Sequence, residues 1–162
     1  MSQAERPALP DIAAIRIDDA AESDIPQLVA LLATLFGIEA DFRPDTAAQE
    51  CGLRLLLAQP EHGVIKVARN DGGLAVGMVS AQLVISTAQG APSAWVEDMV
   101  IREDYRNAGI GRRLMEALLA WCKAHGATRA QLLVDTENVP ALGYYQHLGW
   151  EGTQLQARRI FL

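Results

Sequence analysis

The chain has 162 residues, half of them apolar, and its 14 Lys and Arg against 20 Asp and Glu give a net charge of −6. That length fits one domain with a substantial core, and the acidic balance argues against a nucleic-acid partner, because neutralising phosphates needs clustered Lys and Arg. No apolar run approaches the roughly 18 residues of a membrane span and the start lacks a secretory apolar stretch, so no membrane partner and a cytoplasmic location are expected.

Residues 1–10 hold two prolines and little apolar content, and read as a flexible N-terminal arm ahead of a single domain over residues 11–162. Apolar and polar residues alternate over 12–17, which predicts a first strand. Ser23 or Asp24 can cap the next segment, where Pro26 suits a first turn and Leu28, Leu31, Leu32, Leu35 and Phe36 recur at helical spacing. Residues 46–58 read as a second helix, closed by Pro60 and Gly63. Two β-rich runs, 64–69 and 74–86, flank Asn70, Asp71, Gly72 and Gly73, which tolerate positive φ; this is a hairpin signal. A strand over 94–101 comes next. Leu114, Met115, Leu118, Trp121, Cys122 and His125 then form a helical stripe that ends at Gly126. Residues 129–134 give a short strand, 138–148 a helix, and 151–162 one or two closing strands. The order predicts an α/β fold whose strands 94–101 and 129–134 form a parallel pair joined through a helix.

Between that strand and the long helix lies Arg106-Asn107-Ala108-Gly109-Ile110-Gly111. Two glycines one residue apart can take backbone angles closed to other residues and turn several N–H groups toward one phosphate at a helix start. Asn107 is among the few residue types that visit the left-handed region. Arg112 and Arg113 stand in the first helical turn, where the helix dipole disfavours cations by about 0.3–1 kcal/mol each; a pyrophosphate there would turn that cost into attraction. A dinucleotide fingerprint, GxGxxG, and a nucleotide P-loop, GxxxxGK[ST], are both absent.

Upstream, Glu97 and Asp98 interrupt an otherwise apolar strand, and buried carboxylates are costly unless paired. Consecutive strand residues face opposite sides, so a regular strand would deliver only one of them to a site, whereas a bulge could re-aim both. A primary amine of pKa about 10.4 is only about 0.1% neutral near pH 7.4, and a carboxylate can hold the ammonium and take its proton. The structural alternative is an ion pair to Arg102 or Arg106. Cys51 and Cys122 lack CxxC spacing and read as buried small apolar residues, and His62, His125 and His147 fall on separate elements, so no metal site is expected.

Downstream stands Asn138-Val139-Pro140-Ala141-Leu142-Gly143-Tyr144-Tyr145-Gln146-His147-Leu148-Gly149-Trp150. With the glycine loop, this resembles the GNAT superfamily of acyl-CoA-dependent N-acetyltransferases, whose pattern is Arg/Gln-x-x-Gly-x-Gly/Ala followed by Asn-x-x-Ala-x-x-x-Tyr-x-x-x-Gly-aromatic. Specific motifs cover residues 94–152; the layout extends the resemblance over 11–162. It implies a mixed β-sheet of about six to seven strands, helices on both faces, and a central parallel pair that splays to admit acetyl-CoA as co-substrate.

The resemblance further implies roles. Arg106, Asn107, Ala108, Gly109, Ile110, Gly111 and Arg112 would hold the pyrophosphate. The backbone of Met99, Val100 and Ile101 would contact the thioester and pantetheine arm. Tyr145 would hydrogen-bond the departing sulfur, and Tyr144 aligns with an apolar core position. Asn138 would bind the co-substrate or cap its helix. Glu97 would act as base and Glu97 with Asp98 would bind the amine, as in diamine acetyltransferases, which residues 96–101 resemble. Where some protein-acetylating relatives carry a glutamate base, this chain has Ser93. The expected activity is therefore acetyl transfer to a small-molecule amine, with a protein N-terminal or lysine acetyltransferase and a non-catalytic acyl-CoA-binding module as alternatives. Relatives often dimerise, so a homodimer is an expectation.

Overall fold

The computed structural model describes residues 11–38 and 43–162, so the expected arm over residues 1–10 lies outside the described residues. In chain order the elements are β1 (Arg16–Asp19), α1 (Ile25–Ile38), α2 (Thr46–Leu57), β2 (Gly63–Arg69), β3 (Ala75–Ser86), β4 (Ala91–Ile101), α3 (Ile110–Ala124), β5 (Arg129–Leu132) and α4 (Val139–His147). The strands lie in the order β1-β2-β3-β4-β5, antiparallel throughout except for the parallel β4–β5 pair, which α3 connects. The predicted hairpin is present: Gly73 has φ 82°, and Asn70 N–H donates to the Leu74 carbonyl at 3.0 Å.

One face of the sheet carries α1 and α2, whose Leu28, Leu31, Leu32 and Leu53 pack on Ile65, Val67 and Met78. The other carries α3, whose Leu114, Met115, Leu118 and Cys122 pack on Val79, Ala81, Ala94 and Val96. Each such large side chain contributes about 1.5–3 kcal/mol on burial. Burial pushes the Cys122 thiol up to about 11. Cys51, expected to be buried, is exposed instead. Among the described residues, no helix is long and apolar enough to cross a membrane.

The start of α1 is fastened to the sheet by charge. Arg69 donates to both carboxylate oxygens of Asp24, at 2.6 and 2.7 Å, and its Nε donates to Asp18 at 2.7 Å. Asp24 also accepts the Ala21 N–H at 2.7 Å, closing the turn that leads into α1. The Arg69 hydrogen bond holds the Asp24 carboxyl below its usual range despite the opposing cost of burial, and the same pairing raises Arg69.

Two expectations about the strands also need correction. The expected first strand over 12–17 is present only from Arg16: Asp11 accepts the Ala13 N–H at 3.0 Å and winds Ile12–Ala14 into a 3-10 turn, and β1 runs Arg16–Asp19. An aspartate bonding the backbone locally competes with a sheet ladder. Second, the described residues 151–162 contain no strand, so the sheet has five strands rather than six or seven. β5 itself ends at Leu132 instead of residue 134. Alternation marks a segment able to pair but does not supply the partner edge.

Candidate active site

The parallel pairing of β4 with β5 stops at Val96 opposite Leu132, while β4 continues along β3 to Ile101. The two central strands therefore part at Glu97. At the same place β4 bulges: Ser80 lies opposite Glu97 and Met78 opposite Val100, so three steps on β4 match two on β3. Asp98 absorbs the extra residue with φ 57°. Aspartate is one of the few side chains that tolerate this left-handed conformation.

The bulge decides where the two acids go. Ser80 Oγ donates to the Glu97 carbonyl at 3.2 Å and to the Asp98 carboxylate at 3.3 Å, which draws Asp98 to the side of the sheet that Ser80 occupies. Glu97 and Asp98 consequently line one open cleft, with Met99 beside them, Leu35 of α1 on one wall, and Leu132, Leu133 and Tyr145 across the gap. Glu97 accepts the Trp95 indole N–H at 2.8 Å. Trp95 was not anticipated as part of the site, although two residues apart on one strand share a face. Arg102 is engaged with Asp104 at 3.1 Å, and Arg106 Nε donates to the Ile101 carbonyl at 3.0 Å. Ser93, at the position of the protein-acetylating glutamate, is buried and donates to the Arg129 carbonyl at 3.3 Å, away from the cleft.

Tyr145 reaches the cleft from α4. That helix is started by Asn138, whose side chain accepts the Ala141 N–H at 3.2 Å, with Pro140 in the first turn. The cap expected of Asn138 is thus present. The Tyr145 ring packs edge-on against Trp150, centroids 6.1 Å apart, and both lie against the α3-side core.

Residues 106–112 form a turn with two left-handed positions, Asn107 at φ 60° and Gly109 at φ 79°, before α3 begins at Ile110. Successive N–H groups in such a turn face one concavity. No N–H from residues 107–112 donates to an acceptor among the described residues, and the Arg106 and Arg112 side chains stand exposed at its rim. These donors fit the pyrophosphate of a coenzyme A ester. Arg113 does not join them: its guanidinium turns away to the carbonyls of Ile12, at 3.4 Å, and Ile15, at 2.7 Å.

Gly111 differs from Gly109. Its φ is ordinary, and what it needs is space, because a Cβ there would run into the Tyr144 hydroxyl. That hydroxyl is buried and finds no acceptor among the described residues. Burial raises its pKa, with the Arg112 charge opposing. Tyr144 is thus a polar residue at a position expected to be apolar core.

The profile of the Acetyltransferase (GNAT) family matches residues 26–150. The chain is 24% identical over 133 residues to the aminoglycoside N(6')-acetyltransferase type 1 of Acinetobacter genomosp. 13, covering 80% of this chain and 91% of that one. Among solved structures, the possible acetyltransferase of Clostridium difficile 630 aligns with a TM-score of 0.80 at 18% identity, covering 92% of this chain and 98% of that one. The aminoglycoside N-acetyltransferase AAC(6')-Iy in complex with CoA aligns with a TM-score of 0.73 at 21% identity, covering 91% and 93%. At these identities the structural likeness establishes the fold.

Proposed function

The chain belongs to the GNAT family of acetyltransferases, and on that premise we propose that it transfers an acetyl group from acetyl-CoA to a primary amine of a small cationic molecule, by direct attack. The observation that carries this reading is the bulge at Asp98, which turns two carboxylates onto one cleft where β4 and β5 part. Acidic walls suit an ammonium substrate. The aminoglycosides named for the relatives are amino sugars bearing several such groups, the chemical class that fits this pair of acids.

In this reading the amides of residues 107–112, with Arg106 and Arg112, hold the pyrophosphate, and the bound co-substrate supplies an activated thioester. The backbone of Val100 and Ile101 lies alongside the pantetheine arm as an added strand would. Met99 N–H donates to the thioester oxygen as charge develops there. Glu97, with Asp98 beside it, holds the ammonium and takes one proton, directly or through water, so that the neutral nitrogen forms the new C–N bond. Tyr145 hydrogen-bonds the sulfur as the C–S bond breaks and gives it a proton, while the second amine proton leaves to solvent and solvent reprotonates Tyr145. A tyrosine of pKa about 10 can serve a thiolate whose conjugate acid has pKa about 8.5 because transfer accompanies bond breaking.

Thiol release from acetyl-CoA, measured across aminoglycosides, polyamines and lysine peptides, tests the substrate class. Turnover confined to the small polycationic amines, with mono-acetylated products by mass spectrometry, is the expected result. Turnover of peptides alone would replace it with the protein-acetylating reading. The proposal extends to a homodimer, because the outer edge of β5 pairs with no described strand while Leu155, Ile160 and Phe161 are all more than 80% exposed. Light scattering at micromolar concentration should give twice the chain mass, and the Leu155→Asp/Ile160→Asp variant the single mass.

A further inference from the structure

We propose that the Tyr144 hydroxyl is an additional donor to the pyrophosphate of acetyl-CoA, and that binding supplies the acceptor the hydroxyl lacks in the protein alone. The inference rests on the reading that residues 106–112 hold the co-substrate. Three observations lead to it. The hydroxyl is buried, yet no acceptor for it exists among the described residues. A buried hydroxyl without a partner is costly and is retained where something else satisfies it. Its place is also particular: it abuts Gly111, in the first turn of α3, beside the amides that themselves lack acceptors. Finally, the Arg112 charge acts on this hydroxyl, so cation, amides and phenol share one neighbourhood suited to an anion.

Gly111 makes the approach physically possible. With any Cβ at 111 the hydroxyl would be displaced, whereas a phenylalanine at 144 would leave the ring carbon Cζ as the nearest neighbour, at 3.3 Å. The adjacent tyrosines then divide the work: Tyr145 faces the cleft of the acids, and Tyr144 faces the start of α3. An anion bound there would draw on donors from both helices, and α4 would be held against α3 through it.

The test is Tyr144→Phe, which keeps the ring and removes only the oxygen. Three quantities are read: the affinity for CoA by calorimetry, the melting temperature without ligand, and the ratio of kcat/KM for acetyl-CoA to that for S-acetylpantetheine, which has no pyrophosphate. The expected result is CoA affinity weakened about tenfold, the usual order for losing one hydrogen bond to a charged group. The melting temperature stays level or rises, and the kcat/KM ratio falls by a similar factor. CoA affinity within twofold of wild type would overturn the proposal and return Tyr144 to a packing role. An equal loss with both thioesters would overturn it too, because the effect would not then depend on the pyrophosphate. Gly111→Ala/Tyr144→Phe provides a second reading: it should fold better than Gly111→Ala and still bind CoA weakly, and full recovery of CoA affinity would count against the hydroxyl. Wild-type protein that fails to bind CoA in the same calorimeter would instead remove the parent reading of residues 106–112.

Discussion

The two helices that meet at the site are built differently. Helix α3 buries Ile110, Leu114, Met115, Leu118 and Cys122 against the sheet, whereas α4 contains no buried residue and leaves Val139 and Leu142 exposed. One is part of the core; the other leans on it. The difference separates the two tasks proposed for the site. The turn before α3, where we propose the pyrophosphate binds, is fixed by the packing of the whole domain, and the helix that carries Tyr145 is placed by few contacts, among them Trp150 and the approach of Tyr144 to Gly111. Changes in the α3 half should therefore cost stability, and changes in α4 should cost rate.

The largest expected effect is on rate. Tyr145→Phe should lower kcat about 10²- to 10⁴-fold with little change in melting temperature or CoA affinity, the range for loss of one general acid. Near-normal turnover would mean that another donor protonates the sulfur. A matching loss of melting temperature would show that α4 depends on this hydroxyl for packing, and the contrast between the helices would fail.

Next comes the anchor of α1. Asp24→Asn leaves Arg69 with Asp18 alone and should destabilise the fold by about 3 kcal/mol in urea titration, at the low end for a broken buried ion pair because one partner remains. The folded pKa of Asp24 lies below its unfolded value, so its contribution is fully present above about pH 4 and is lost as pH falls through the folded pKa. Wild-type stability should drop on that acid limb, and the variant's should be flatter there. Equal slopes would deny Asp24 this role.

A pair of truncations of comparable size or smaller sharpens the comparison directly. Leu114→Ala in α3 should cost about 2–5 kcal/mol as a large-to-small change in a sealed core, while Leu142→Ala, at a position 38% exposed in α4, should stay within about 1 kcal/mol. Similar losses for both would mean that α4 is as firmly integrated as α3.

Much of the platform was legible in the sequence because its signals are local. The stripe from Leu114 to Cys122, the Asn70 to Gly73 turn and the left-handed Asn107 each follow from neighbours in the chain. What was not legible depends on distant partners. The Arg69–Asp24 pair joins residues 45 positions apart, and the contact of Tyr144 with Gly111 exists only once α4 is folded onto α3. The bulge stands between these cases. Two consecutive acids in an apolar strand, the second an aspartate able to take positive φ, hinted at it, but only the register against β3 located the extra residue at Asp98. The closing strands failed for a related reason: residues 151–162 have the composition of a strand, but no described edge pairs with them.

The acid pair itself offers the most direct measurement. Glu97→Gln/Asp98→Asn removes both charges and nearly preserves shape, so the amine KM at saturating acetyl-CoA isolates their role in holding the substrate cation. A rise of tenfold or more in amine KM is expected, with the alkaline pH profile shifted and CoA affinity unchanged. An unchanged amine KM and pH profile, with only thermal stability lost, would contradict the assignment of a cationic amine to the cleft where β4 and β5 part.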